Sequence, residues 1–287
     1  MGKADRKNPE LCPPTHSDEI KVSFPREHVM LLTFNRPKAL NAMTASMVSD
    51  IKNVLDWFEK EPYLWVVVLT GEGRIFCAGA DLVDWKRREE AGATKDDQSV
   101  VADNPHGFGS ISRRCSTKPI IAAVNGGAYG GGTEIILNCD LVIASDDATF
   151  ALPEVKVGVV AIQGGIPRLA RIAGHQLASE MLLTGRNVSA KDAATRFGFV
   201  NKLVARSQVL STALAWAAEI TANSPDAVQS TKRALLLSNQ HGSVEDMVLT
   251  HVWSKESTRA FKSSNIKEGL AAFSERRKPR WVNPTKL

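Results

Sequence analysis

The sequence predicts an α/β body followed by a helical C-terminal region, and three observations carry that reading. Three continuous apolar runs, "WVVVLTG" (Trp65–Gly71), "IIAAVNG" (Ile120–Gly126) and "CDLVIAS" (Cys139–Ser145), have the character of strands buried on both faces. Between and after them, apolar residues recur at helical spacing. Beyond a last strand at "NKLVA" (Asn201–Ala205), only helical periodicity remains. The expected division is a polar, Pro-rich lead over residues 1–17, an α/β core over 18–205, and a helical region over 206–287.

The elements follow in order. "IKVSF" (Ile20–Phe24) and "HVMLLTF" (His28–Phe34) read as a hairpin about the turn at "PRE". Pro37 in "NRPKALNAM" breaks the strand pattern. A helix is expected from Thr44 to Lys60, because Met47, Ile51, Val54, Leu55 and Phe58 fall on one face. The charged, then Gly- and Pro-marked segment Lys86–Gly109 reads as a helix end and a mobile loop. Another strand is expected over "TFALPE" (Thr149–Glu154). Helices follow at "IPRLARIAG", "HQLASEMLLTG" and "AKDAATRFG". In the C-terminal region they are expected at "STALAWAAEITAN", "DAVQSTKRALLLSN" and from Ser243 towards Phe273.

Composition narrows the function. In 287 residues no apolar run reaches bilayer length, so no membrane span is expected. Cys12, Cys77, Cys115 and Cys139 are scattered with no C-x-x-C pair, and the six histidines form no H-x-x-x-H pair. That pattern points away from a metal site and towards a reducing compartment. The N-terminus has no apolar segment and carries Asp5 and Glu10, which does not fit a secretory or transit peptide. The final Thr285-Lys286-Leu287 differs by one residue from a peroxisomal Ser-Lys-Leu address, so a cytoplasmic or peroxisomal location is expected. A net charge of +5 fits a phosphate-rich partner, either nucleic acid or a phosphorylated carrier.

The stretch "NGGAYGGGTEIILNCD" (Asn125–Asp140) carries the chemistry. It has neither the P-loop pattern nor the dinucleotide fingerprint. Its glycines expose main-chain N–H groups at a helix start, where negative charge is stabilised, including charge that exists only during a reaction. "FCAGADL" (Phe76–Leu82) offers a second such turn. Glu134 enters an apolar helix, where an idle carboxylate is costly to bury. Glu154 in "LPEVKVG" stands at the end of an expected strand and, taken alone, reads as a helix-capping or turn carboxylate. Two carboxylates beside an anion hole suit proton transfer next to a carbonyl.

Taken together, "NRPKALNAM", "GEGRIFCAGADL", "KPIIAAVNGGAYGGGTEIILNCDLVIAS", "ATFALPEVKVGVV" and "KEGLAAFSERRKPRW" resemble the enoyl-CoA hydratase/isomerase (crotonase) superfamily across most of residues 18–281. The resemblance implies a spiral of repeated ββα units and a C-terminal helical region that builds trimers, often paired as hexamers. It implies acyl-CoA thioester substrates and no separate cofactor or metal, CoA being part of the substrate. It places an oxyanion hole at the backbone N–H groups of Ala80 and Gly131, and hydratase carboxylates at Glu134 and Glu154. Glu134 would activate the water that attacks Cβ, and Glu154 would deliver the proton to Cα. Substrate contacts are implied at Lys38, Ala39 and Leu40, at Ala78, Asp81, Leu82 and Trp85, and at Tyr129 and Pro153. Phe273 and Arg276 match CoA-contacting positions of the tail.

With both glutamates present, hydration of a trans-2-enoyl-CoA or the reverse dehydration leads. An enoyl-CoA isomerase using Glu154 alone is the alternative, and an RNA-binding protein that keeps the fold is a remote one. Basic and aromatic residues are not interleaved as a stacking surface, so nucleic acid is not the expected partner. Two strings depart from the hydratase pattern, "ADLVDW" with Trp85, and "VVAIQGG" in place of a Pro- and Gly-richer string. Both bear on the acyl pocket and leave branched or polar acyl groups open, such as methylglutaconyl- or carnitinyl-like esters.

Overall fold

The three apolar runs become neighbouring parallel strands of one sheet. The computed structural model describes residues 10–90, 92 and 97–284. The first nine residues of the lead, part of the loop expected after Lys86, and the Thr285-Lys286-Leu287 tripeptide lie outside the described residues.

The strands are β1 (Ile20–Arg26), β2 (Val29–Phe34), β3 (Val66–Gly71), β4 (Ile75–Cys77) and β5 (Ile120–Val124). They continue as β6 (Gly127–Tyr129), β7 (Leu141–Ser145), β8 (Thr149–Ala151), β9 (Val188–Ser189) and β10 (Lys202–Val204). A six-stranded sheet has the order β1-β2-β3-β5-β7-β10 and a four-stranded sheet the order β4-β6-β8-β9. In the large sheet β1 and β2 form the antiparallel hairpin and the remaining pairs are parallel.

The helices of the body are α1 (Ala45–Lys60), α2 (Leu82–Glu90), α3 (Asp97–Asp103), α4 (Gly131–Asn138), α5 (Gly165–Ala173), α6 (His175–Thr184) and α7 (Ala190–Thr195). Then come α8 (Val209–Thr221), α9 (Pro225–Ser238), α10 (Val244–Val252), α11 (Lys255–Lys262) and α12 (Ser264–Ser274). A repeat is visible in this order. β3-β4-α2, β5-β6-α4 and β7-β8-α5 each place one strand in the large sheet, the next in the small sheet, and then a helix.

Side-chain alternation explains why the central strands β3, β5 and β7 are apolar almost throughout. Val67, Leu69, Ile120 and Ala122 face the main core, while Val66, Val68, Ile121 and Ala123 face a second core with Val209, Ala213 and Ala217 of α8. So α8, which the sequence groups with the C-terminal region, packs on β3, β5 and β7. α1 buries Met47, Ile51, Val54, Leu55 and Phe58, and Thr44 caps it by accepting from Met47 N–H at 3.1 Å. An edge-on aromatic pair joins the two sheets, Phe34 of β2 with Phe76 of β4 (5.3 Å between ring centres), and Phe150 of β8 pairs in the same way with Phe199 in the segment before β10 (5.2 Å).

Two expectations are refined. The strand expected over Thr149–Glu154 ends at Ala151, and Glu154 opens a 3-10 turn (Glu154–Val157) just after Pro153, which has no N–H for a ladder. The charged segment after Trp85 holds most of α2 and also α3, so it is more helical than the expected loop.

Phe76 is fully buried between the sheets, so Phe76→Ala should lower the unfolding free energy by about 3–5 kcal/mol in urea denaturation. A loss under about 1 kcal/mol would mean the sheets do not depend on this contact.

Candidate active site

Two turns meet where β4 and β6 end. The first, Cys77–Asp81, is splinted by Leu40–Met43. Ala78 N–H donates to Leu40 O (3.0 Å), Met43 N–H to Gly79 O (2.9 Å) and Asp81 N–H to Met43 O (3.2 Å). This is a one-residue parallel bridge between Met43 and Ala80. Its bonds use Met43 and the neighbours of Ala80, so the Ala80 N–H is turned away and has no hydrogen-bond partner among the described residues.

The splint is itself held by two residues that the sequence did not single out. Asn41 is buried with φ 56°, a conformation Asn tolerates, and its Nδ2 donates to Glu72 O (3.0 Å) and Ile75 O (2.7 Å). Its Oδ1 accepts from Arg36 N–H at 2.9 Å. The Arg36 guanidinium pairs with Glu19 (2.9 Å) and Asp81 (3.0 Å) and donates to Ala42 O. Burial opposes charge at Asp81, but the Asp84 N–H and Arg36 outweigh it and hold the carboxyl below its ordinary value. Both residues lie in or beside "NRPKAL", yet Glu19, Glu72, Ile75 and Asp81 among their partners are distant in sequence, so no local pattern marks them.

The second turn, Tyr129–Gly132, opens α4. Gly130 N–H donates to Ala151 O (2.9 Å), and Thr133 Oγ1 donates to Ala128 O (2.8 Å) and Ala151 O (2.9 Å). Gly131 N–H, the first of the helix, has no partner among the described residues. The turns approach main chain to main chain. A Cβ on Gly79 (φ 92°) would lie 2.8 Å from Tyr129 O and 3.4 Å from Gly131 N. A Cβ on Gly131 would enter the Phe108 ring, and one on Gly132 would strike Cys77 O. The glycines are therefore required first by the protein's own packing, and the bare main chain follows from it.

Two carboxyls face this corner. Glu134 is 3% exposed, and its Oε1 accepts from Gly165 N–H at 2.9 Å. Burial pushes its pKa up to about 7; the Gly165 N–H opposes, the charge of Glu154 adds, and the Gln163 N–H and Arg168 oppose. Burial also raises Glu154, whose Oε2 is buried with no hydrogen-bond partner. Glu154 Oε1 lies 3.2 Å from where a Gly130 Cβ would stand, one residue from the unpaired Gly131 N–H. Among the described residues, no group of three His, Cys, Asp or Glu lies where it could hold a metal ion.

The other expected residues fall in different places. Ala78, Asp81 and Leu40 belong to the first turn and its splint, and Pro153 leads directly into Glu154. Lys38 and Ala39 sit in a 3-10 turn (Pro37–Ala39) just before the splint, with Lys38 exposed and without an ion-pair partner among the described residues. Leu82 is exposed and Trp85 half-buried in the first turn of α2. Tyr129 brings its carbonyl rather than its ring, because its hydroxyl bonds Thr149 Oγ1 at 2.6 Å. Phe273 and Arg276 lie exposed at the far end of α12, which packs on α11. No hydrogen bond or ion pair links their side chains to the two turns among the described residues.

With this geometry in view, comparison with known proteins places the chain. Residues 25–284 match the family model of enoyl-CoA hydratase/isomerase, and the chain belongs to that family. It is 42% identical over 268 residues to a mevalonyl-coenzyme A hydratase of Aspergillus fumigatus, covering 93% of this chain and 95% of that one. A short-chain-enoyl-CoA hydratase of Clostridium acetobutylicum is 36% identical, covering 87% and 92%. The crystal structure of an enoyl-CoA hydratase from Mycobacterium tuberculosis superposes with a TM-score of 0.82 at 38% identity, covering 93% and 99%. The fold is the crotonase fold, and the protein is an enzyme of the hydratase class.

Two outcomes test the geometry. Gly79→Ala places a methyl group between the two turns and should lower turnover of an enoyl-CoA by about 10²–10³-fold in protein that remains folded by circular dichroism. The second concerns stability. The folded-state pKa of Glu134 lies above its ordinary 4.5, so the folded protein binds this proton more tightly and loses stability as pH rises from about 4.5 to 7. Glu134→Gln removes that cost. It should stabilise the protein at pH 8 by an amount on the order of 3 kcal/mol, and the gain should shrink towards pH 5 in parallel denaturation curves.

Proposed function

We propose that Glu134 and Glu154 are the acid–base pair of this hydratase, that Ala80 and Gly131 form its oxyanion hole, and that its acyl group is branched and hydroxylated, of the mevalonyl type. The observation that carries the reading is the corner itself, where the carboxyls of buried Glu134 and half-buried Glu154, both with raised pKa values, adjoin two main-chain N–H groups that have no partner among the described residues.

In the hydration direction the thioester oxygen accepts from the Ala80 and Gly131 N–H groups. Glu134 takes a proton from water as the water oxygen bonds to Cβ. The electron pair of the double bond moves into the enolate, whose charge the two N–H groups stabilise. Glu154 gives its proton to Cα. Glu134 has then gained one proton and Glu154 has lost one, and transfer between them restores the pair. Dehydration runs the same steps backwards. Mutual repulsion in a buried site favours a singly protonated pair, which is the state both directions require.

The acyl assignment draws on the fungal relatives. The mevalonyl-coenzyme A hydratases of Aspergillus fumigatus and Beauveria bassiana are 42% and 41% identical to this chain, against 36% for the short-chain hydratase. For a mevalonyl thioester the reaction is loss of the 3-hydroxyl and a Cα proton as water, giving a 5-hydroxy-3-methylpent-2-enoyl thioester. Lys38, Phe273 and Arg276 are assigned to the CoA moiety, and no separate cofactor enters these steps. Self-association to trimers or hexamers is supported by the exposed Trp253, Phe261, Leu270 and Phe273 on and beside α10–α12. A cytoplasmic or peroxisomal location is proposed with it.

The test is an assay of 5-hydroxy-3-methylpent-2-enoyl-CoA and crotonyl-CoA, following loss of the conjugated thioester absorbance. Both should react, the hydroxylated ester with the higher kcat/KM. Glu134→Gln and Glu154→Gln should each lose about 10²–10⁴-fold while still binding a CoA ester. Undiminished turnover in either variant would remove that residue from the chemistry.

A further inference from the structure

Five buried side-chain polar atoms lack a hydrogen-bond partner among the described residues, and they fall in two groups. Three belong to Asp226, Gln229 and Arg259, where α9 meets α11 and the Arg259 guanidinium stands 2.9 Å from Asp226, so their charges compensate. The other two are Glu154 Oε2 and Gln163 Oε1. The first belongs to the acid–base pair. The second has no role so far.

Gln163 lies in the loop between the Glu154–Val157 turn and α5. Its main chain is pinned on both sides. The carbonyl accepts from Ser112 Oγ at 2.6 Å, and the N–H faces the Glu134 carboxyl beside that of Gly165. The residue is therefore fixed next to the reacting carboxyl and cannot drift with a loose loop. It is also the only polar side chain between Gly158 and Ile166, a stretch otherwise made of Val159, Val160, Ala161, Ile162 and glycines. A buried amide pole without a partner is uncommon in a folded protein and calls for a reason.

Resting on the acyl assignment proposed above, we infer that Gln163 is a specificity-determining residue whose side-chain amide pairs with a hydroxyl carried beyond Cβ of the acyl group. With the thioester oxygen on the Ala80 and Gly131 N–H groups and the double bond beside the two glutamates, atoms past Cβ are the next to meet the Glu134 side of the pocket. A hydroxyl can donate to the amide oxygen or accept from the amide nitrogen, so it satisfies the amide in either orientation. A carboxylate can use only the nitrogen, and it adds a second negative charge beside the singly protonated Glu134–Glu154 pair. Arg168 already donates to Gly164 O at 3.3 Å and offsets the charge of Glu134. An aliphatic chain end leaves the amide unpaired, which is the condition under which a site rejects the analogue lacking the group.

The experiment compares kcat/KM for 5-hydroxy-3-methylpent-2-enoyl-CoA, for 3-methylpent-2-enoyl-CoA, which lacks only the hydroxyl, and for the carboxylated 3-methylglutaconyl-CoA. Wild type, Gln163→Leu and Gln163→Met are each measured on all three. The ratio of hydroxylated to deoxy ester within one protein is independent of how much of that protein is folded. Both variants should lower this ratio by about 10- to 100-fold relative to wild type. An unchanged ratio overturns the inference, whether both rates fall together or neither does. A fall in common would make Gln163 a support for the Glu134 loop and nothing more. A variant that instead loses the carboxylated ester selectively also overturns it. Failure of the underlying acyl assignment appears separately, in wild type alone, as no preference for the hydroxylated over the deoxy ester.

Discussion

Much of this molecule depends on one close approach, that of the Cys77–Ala80 turn to the Tyr129–Gly132 turn. Main chain meets main chain there, and a Cβ on Gly79 or Gly132 would stand inside the opposite turn. Each turn ends a strand of the small sheet and precedes a helix of the repeat, so the approach joins two successive ββα units. Without side chains between them, two N–H groups come to one corner with no hydrogen-bond partner among the described residues. The surrounding structure keeps that corner from relaxing. The Met43 bridge sets the direction of Ala80, Asn41 holds the bridge, and Arg36 ties it to Asp81 and Glu19. Preorganisation of this kind lets an N–H group stabilise charge without rearranging when the charge appears.

The carboxyls show the cost of the arrangement. Glu134 is buried in α4 among Ile135, Ile136 and Leu137, and Glu154 keeps an unpaired oxygen. Neither placement favours stability. The partners that Glu134 does have are main-chain N–H groups of the Gln163–Gly165 loop, which hold the group in place without neutralising it. Gln163 then connects this positioning to selectivity, because the residue whose main chain steadies the carboxyl also has a side-chain pole awaiting a partner. Positioning of Glu134 and the proposed choice of acyl group are thus carried by neighbouring atoms of one loop.

The large sheet was legible in the sequence because strands buried on both faces are apolar at every position, and a run such as Trp65–Gly71 needs no partner to be recognised. The core face of α1 was legible for a similar local reason, its spacing of 3.6 residues. The small sheet was not. β4, β6 and β9 have two or three residues each, and β6 is Gly127-Ala128-Tyr129, too short and small to show a period. In the site, Glu134 stood out as a charge in an apolar helix, whereas Glu154 carried no local mark and was reached through resemblance. Arg36 and Asn41 went unread because their partners, Asp81 and Ile75, lie in a different repeat. Gln163 was visible only as a departure in a string, since an unpaired amide cannot be seen before the chain is folded.

The central claim is that a thioester carbonyl is polarised by the Ala80 and Gly131 N–H groups. The most direct measurement is the absorption spectrum of a bound CoA ester whose acyl group carries an extended conjugated chromophore. Hydrogen bonds to the carbonyl oxygen stabilise the charge-separated state of such a chromophore, so binding should shift its absorption to longer wavelength. A stoichiometrically bound ester with the spectrum of the free ester would contradict the account, because the carbonyl would then lie outside the corner that these two turns build.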